Sequence, residues 1–193
     1  LSIFASISMD HIGVLGNTLE ELAENKAGII KPSCQAVVTA PQKPSVIRIL
    51  QEKTEECGCQ IRIAHPEKAK VKRELMDGQI FSYEEYEDIH LNLIGRYQID
   101  NAVTVLEAVK ALNENGAVIP EDAVRAGFAK VIWQGRFQVL EREPLMIADG
   151  AHNQDAALRL AENVRTYLAG RRIIGVMGVF KDKEYRKMAE IMA

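Results

Sequence analysis

Cysteine, proline and tryptophan are scarce in this chain: three, six and one in 193 residues. Each scarcity removes a class of protein. Cys34, Cys57 and Cys59 make neither an even set nor a C-x-x-C pair, which excludes a disulfide framework and leaves reduced thiols as the expectation. Cys57-Gly58-Cys59 is at best half a metal site. Charge of one sign is lacking too, since 24 Lys and Arg face 27 Asp and Glu for a net charge of -3, so no basic field awaits a nucleic acid. No apolar run approaches a membrane span, and the first residues lack the basic start of a signal peptide. A cytoplasmic monomer with no nucleic-acid or membrane partner is expected. The chain also lacks an initiator Met and stops inside a helical pattern, which reads as an internal stretch of a longer protein.

What is present is an alternation of strand-like and helix-like segments, and it argues α/β architecture with a mostly parallel sheet. Strands are expected at 3–9, 36–39, 61–64, 145–148 and 173–179, and helices at 19–28, 45–56, 100–112, 121–131 and 154–168. Residues 78–94 alternate apolar and polar around an acidic patch at 84–88, as a hairpin does. The natural domain boundary falls near Trp133-Gln-Gly-Arg136, where a Pro-initiated helix ends and a new pair of strands begins. A cleft between two α/β units is a usual place for a substrate.

Several residues stand where chemistry is possible. Asp149-Gly-Ala-His-Asn153 joins the apolar run 144–148 to a helix, gathering an acid, an imidazole and a helix start at the carboxyl end of a strand. The plain alternative is a turn at Asp149-Gly150, a cap at Asn153 and a solvent-facing His152. Thr18 and Glu21 form a capping box for the first helix, on which Lys26 follows Leu22 by four residues and so falls on the apolar face. A lysine there snorkels, pairs, or loses its proton. A neutral amine can add carbon dioxide to give a carbamate, an oxygen ligand for a hard cation such as Mg²⁺. His11, beside Asp10, could ligate from the same sheet edge or be a structural histidine that Asp10 orients. Asn101 lies on or next to the stripe formed by Ala102, Val105, Leu106, Val109 and Leu112, as a cap or as a partner for a ligand. Arg136 follows a glycine at the domain junction, where it could reach a phosphate or form a surface salt bridge.

Five segments in order resemble folylpolyglutamate synthase and its bifunctional dihydrofolate synthase relatives, members of the Mur ligase superfamily. They are Ser8-Met-Asp-His-Ile-Gly-Val-Leu-Gly16, Glu24-Asn-Lys-Ala-Gly-Ile-Ile-Lys31, Gly95-Arg-Tyr-Gln-Ile-Asp-Asn-Ala102, Trp133-Gln-Gly-Arg136 and Asp149-Gly-Ala-His-Asn153. The resemblance implies the later portion of a Mur-ligase-type ATPase domain with a parallel sheet over 1–133, then the start of a smaller Rossmann-like glutamate-ligase domain over 134–193. It implies that His11 is a magnesium ligand and Lys26 its carbamylated co-ligand, with a catalytic part. Asn101, Arg136 and Asp149 are implied as ATP contacts, Arg136 near the phosphates and Asp149 near the ribose or base. His152 is implied near the reacting groups, and Asp182 and Lys183 in a loop beside the cleft. The implied reaction uses ATP to phosphorylate a folate γ-carboxylate, or in the related activity the carboxylate of dihydropteroate, before L-glutamate attacks the acyl phosphate.

Two departures qualify that resemblance. No G-x-x-G-K-[ST] phosphate loop occurs in the chain, and the family's glutamate metal ligand is missing with it. Tyr97 also stands where the family often has histidine. The expectation is that the whole protein is the ligase and that this chain alone does not turn over ATP. The competing readings are another amide ligase of the superfamily, acting on a peptidoglycan precursor, and a non-catalytic nucleotide-binding module.

Overall fold

The computed structural model describes residues 1–8, 16–180 and 183–193. Its first unit is a parallel sheet in the order β1 (Ser2–Phe4), β2 (Ala36–Thr39), β3 (Gln60–Ile63). Every residue of the central strand β2 is buried, because both of its faces are covered, as parallel strands require. Val37 joins the core under α1 (Leu19–Ala27) and α2 (Pro44–Glu56), with Leu22, Ile30 and Leu50. Ala36 and Val38 face the other way, onto Ala108 and Ala111 of α3 (Arg96–Glu114). Each large apolar side chain so enclosed contributes about 1.5–3 kcal/mol.

The second unit is an antiparallel sheet, β4 (Lys70–Leu75), β5 (Gly78–Tyr83) and β6 (Tyr86–Leu91), which packs with α4 (Glu121–Lys130) on the far side of α3. The expected hairpin is β5–β6. The strand β4 extends it, and its signal was Asp77-Gly78, a turn-forming pair where β4 passes into β5. Helix α3 therefore sits between two sheets, and this explains a correction. Its buried stripe runs through Ile99, Ala102, Val103 and Leu106, so Asn101 and Val105, one turn apart, point outward and are exposed.

The remaining residues form the hairpin β7 (Gln138–Arg142) and β8 (Leu145–Ala148), then α5 (Gln154–Tyr167) and α6 (Tyr185–Met192). The strand expected at 173–179 is not formed: residues 171–180 have no regular structure, and Ile174 and Val176 are almost fully exposed. An apolar run becomes a strand only against a partner, and among the described residues β8 pairs with β7 alone. Strand β1 is likewise shorter than the apolar run at 3–9. Helix α1 starts where its cap dictates, with the Thr18 hydroxyl accepting from the Glu21 N–H at 3.1 Å. The Glu21 carboxylate returns to the Asn17 N–H at 2.6 Å, one residue earlier than an ideal capping box.

Candidate functional site

The carboxyl ends of β1 and β2, the first turn of α3, and the turn between β8 and α5 converge on one cavity of about 410 Å³. Ala5, Ser6, Ala40 and Pro41 come from the strand ends, and Tyr97, Asp100 and Asn101 from α3. Arg136, Asp149, Gly150, His152, Asp155 and Arg159 close it from the other side.

Asp149 builds the turn. Its Oδ2 accepts from the Phe137 N–H at 2.7 Å and its Oδ1 from the Ala151 N–H at 2.8 Å. The first bond ties the end of β8 to Phe137, a fully buried residue held at φ +44. The Gly150 N–H reinforces the tie by donating to the Gly135 carbonyl at 2.7 Å. A Cβ at Gly150 would stand 2.5 Å from Arg136 Nη1, so a side chain there would displace the guanidinium. The guanidinium lies across that bare backbone, gives Nη1 to the Gly135 carbonyl at 3.1 Å, and sits 5.8 Å from the Trp133 ring centre. One of its five donors is spent on that carbonyl. His152 Nδ1 meets the Gly150 carbonyl at 2.8 Å, a bond in which the ring nitrogen carries the proton. Asn153 caps α5 by accepting from the Ala156 N–H at 2.9 Å.

The α3 wall is acidic and partly desolvated. Burial raises the Asp100 carboxyl above its ordinary value, and the Arg96 and Arg159 cations offset part of that. Burial also raises the Tyr97 hydroxyl, and the Asp149 charge adds to it. Asn101 donates to the Gln98 carbonyl oxygen at 3.0 Å and otherwise presents itself to the cavity rim.

The two walls are fastened behind the cavity. Tyr167 on α5 donates to Glu74 at 2.8 Å and accepts from the Gly95 N–H at 3.2 Å, while its ring packs 5.7 Å from Phe137. Burial and then the Glu74 carboxylate push the Tyr167 hydroxyl far above its usual range.

Comparison with known proteins puts this architecture in a family. The Mur ligase middle domain matches residues 1–109, more than half of the chain, and the glutamate ligase domain of Mur ligases matches residues 135–193. The chain belongs to the Mur ligase family. Among Mur ligase relatives, it is 36% identical to the dihydrofolate synthase/folylpolyglutamate synthase of Bacillus subtilis over 97% of this chain and 45% of that protein. It is 32% identical to the corresponding Mycobacterium tuberculosis enzyme over 95% of this chain and 40% of that one. The chain thus spans less than half the length of these relatives. Its structure is similar to that of M. tuberculosis folylpolyglutamate synthase complexed with ADP, with a TM-score of 0.86 at 32% identity, covering 98% of this chain and 44% of that one. A folylpolyglutamate synthase complexed with AMPPCP and folate gives a TM-score of 0.86 at 28% identity, over 98% and 47%.

Of the Mur ligase site residues expected from sequence, the structure brings Asn101, Arg136, Asp149 and His152 to one cavity. Lys183, at the foot of α6, does not line it. His11 and Asp182 lie outside the described residues. Lys26 is a correction to the face argument: α1 buries Leu22, Ala23 and Ala27, whereas Lys26 is exposed. It occupies the last turn, where a flexible stem can carry the ammonium past the helix end to water, as snorkelling describes. Among the described residues no group of three His, Cys, Asp or Glu is arranged to hold a metal ion. Asp100, Asp155 and Arg159 are cavity residues that the sequence reading passed over. The available signal was spacing, since Asp155 and Arg159 are four apart on the helix that follows the Asp149 motif.

Proposed function

We propose that the whole protein carrying this chain is an ATP-dependent ligase that joins L-glutamate to the γ-carboxylate of a folate, with dihydropteroate as the substrate of the related synthase activity. The observation that carries the reading is the cavity itself: Arg136, Asp149, Asp155 and Arg159 on one wall face Asp100 and Asn101 of α3 at the carboxyl ends of parallel strands. Support comes from the relatives' names and from solved relatives bound to ADP and to AMPPCP with folate. The residues present fit a nucleotide. Arg136 is laid over Gly150 with donors aimed at the cavity, Asn101 offers an exposed amide, and Asp149 is locked in place by two backbone N–H groups.

Bound ATP would supply the phosphoryl group that turns a poorly electrophilic carboxylate into an acyl donor. The chain's own part is to hold and to orient. Arg136 neutralises phosphate charge by charge-assisted hydrogen bonds, and the capped start of α5 gives the turn its fixed geometry. His152, oriented by the Gly150 carbonyl, stands beside the reacting groups. The division of labour we assign is residues 1–133 to the ATP-binding domain and 134–193 to the glutamate-ligase domain. Closing reactants between two such walls removes much of the entropic barrier. Mg²⁺ belongs to the reading as the partner of ATP, with His11 and Lys26 as its candidate ligands. Lys183 and Asp182 are proposed beside the substrate. The cytoplasm, where ATP is supplied, is the compartment this reading assigns.

The test is coupled product formation by the whole protein given ATP, Mg²⁺, folate and L-glutamate. The expected result is ADP release matched to glutamate attached to folate. ADP release without attachment, or attachment without ATP, contradicts the reading.

A further inference from the structure

The three cysteines lie together at the amino-terminal edge of the parallel sheet, at the end of the strands opposite the cavity. Cys34 precedes β2 by two residues and Cys59 precedes β3 by one, and the two strands pair with Ala36 opposite Gln60. The two cysteines thus enter adjacent strands at the same edge, and their side chains lie close enough to interact directly. The Cys34 thiol donates to the Ala36 carbonyl at 2.9 Å and lies 3.5 Å from the Ser2 hydroxyl. The Cys59 thiol points to the Lys31 carbonyl at 3.7 Å, at the root of the turn that carries Cys34. Cys57 reaches instead for the Ile30 carbonyl at 3.7 Å. Burial and the neighbouring Cys34 and Cys57 sulfurs push the Cys59 thiol up. All three side chains are partly accessible.

We propose that Cys34 and Cys59 are a redox-active pair that closes to a reversible disulfide when a peroxide reaches this edge of the sheet. Cys34 is the attacking sulfur, because the Ser2 hydroxyl beside it can turn its proton toward a thiolate. The thiolate attacks the terminal oxygen of the peroxide, the O–O bond breaks, the other oxygen leaves as water or alcohol after taking a proton, and Cys34 keeps the transferred oxygen as a sulfenic acid. The Cys59 thiol then attacks that sulfur, the S–S bond forms, the S–O bond breaks, and water leaves. Two electrons pass from the two sulfurs to the peroxide. The bond fastens the turn after α1 to the entry of β3, and so ties down the helix that bears Lys26. This is independent of the ligase reading.

The test is intact-mass and peptide analysis of the native chain after exposure to hydrogen peroxide under non-reducing conditions. The expected result is a loss of about 2 Da with two thiols gone, reversed by dithiothreitol, with Cys34 joined to the peptide that holds Cys57 and Cys59. Cys57→Ser keeps the loss, whereas Cys34→Ser and Cys59→Ser abolish it. Should the serine variants fail to fold, the cross-linked peptide from the native chain still decides. A gain of oxygen mass without a cross-link, three surviving thiols, or a bond that needs Cys57 overturns the proposal.

Discussion

Asp149 shows how one side chain serves both the fold and the site. Its two oxygens satisfy the Phe137 and Ala151 N–H groups, so Asp149→Ala leaves two donors without their anionic acceptor. A hydrogen bond to a charged group is worth about 1.5–3 kcal/mol, and urea unfolding should register a loss of about 3 kcal/mol. A change below about 0.5 kcal/mol, the range of ordinary surface substitutions, would contradict the clamp. Asp100 gives a pH signature. Burial raises its carboxyl, so the folded state holds that proton more tightly than the unfolded chain does. Its contribution is therefore full below the unfolded pKa and is lost as pH rises through the folded one. Asp100→Asn cannot ionise, so its stability relative to the native chain should increase as pH rises from about 3 to about 7. A flat or falling difference in chemical denaturation midpoints would sink this. At this scale the Asp149 motif was legible because its turn chemistry is local. The exposure of Lys26 and Asn101 was not, because helical spacing gives a residue's angle around the axis and says nothing of what covers it.

Elements were legible where a local signal sets their ends. Thr18 and Asn153 each mark a helix start that the structure keeps. Helix α3 begins four residues earlier than its apolar pattern, because Gly95 at φ +106 turns the chain directly into it. That glycine is doubly required: a Cβ would stand 2.7 Å from both the Asn163 Oδ1 and Nδ2 atoms. Gly95→Ala should cost about 1–3 kcal/mol from the backbone alone, with the crowding against α5 added to it. Thermal unfolding within experimental error of the native chain would mean that α5 does not press on this turn. Residues 171–180 illustrate the opposite limit. The run 173–179 is apolar enough for a strand, but a strand is completed by its neighbour, and periodicity cannot supply one.

At the scale of the molecule, the order of the five motifs was enough to name a family, and the family models cover residues 1–109 and 135–193. What sequence could not give was the way the motifs meet. Arg136 and Asn101 are 35 positions apart and share a cavity whose walls are tied behind it by Tyr167, which joins α5 to Glu74 and Gly95. In the proposed ligase this cavity holds the nucleotide, and Arg136 is the residue whose loss tells most about it. Among the described residues its hydrogen bond goes to the neighbouring Gly135 carbonyl, so Arg136→Ala removes little that holds the fold. The decisive measurement is kcat/KM for ATP in glutamate ligation by the whole protein, native against Arg136→Ala. Losing a charge-assisted phosphate contact of about 1.5–3 kcal/mol predicts a fall of roughly 10- to 150-fold, with unfolding unchanged. A variant within about twofold of native, which is less than 0.5 kcal/mol, would contradict the claim.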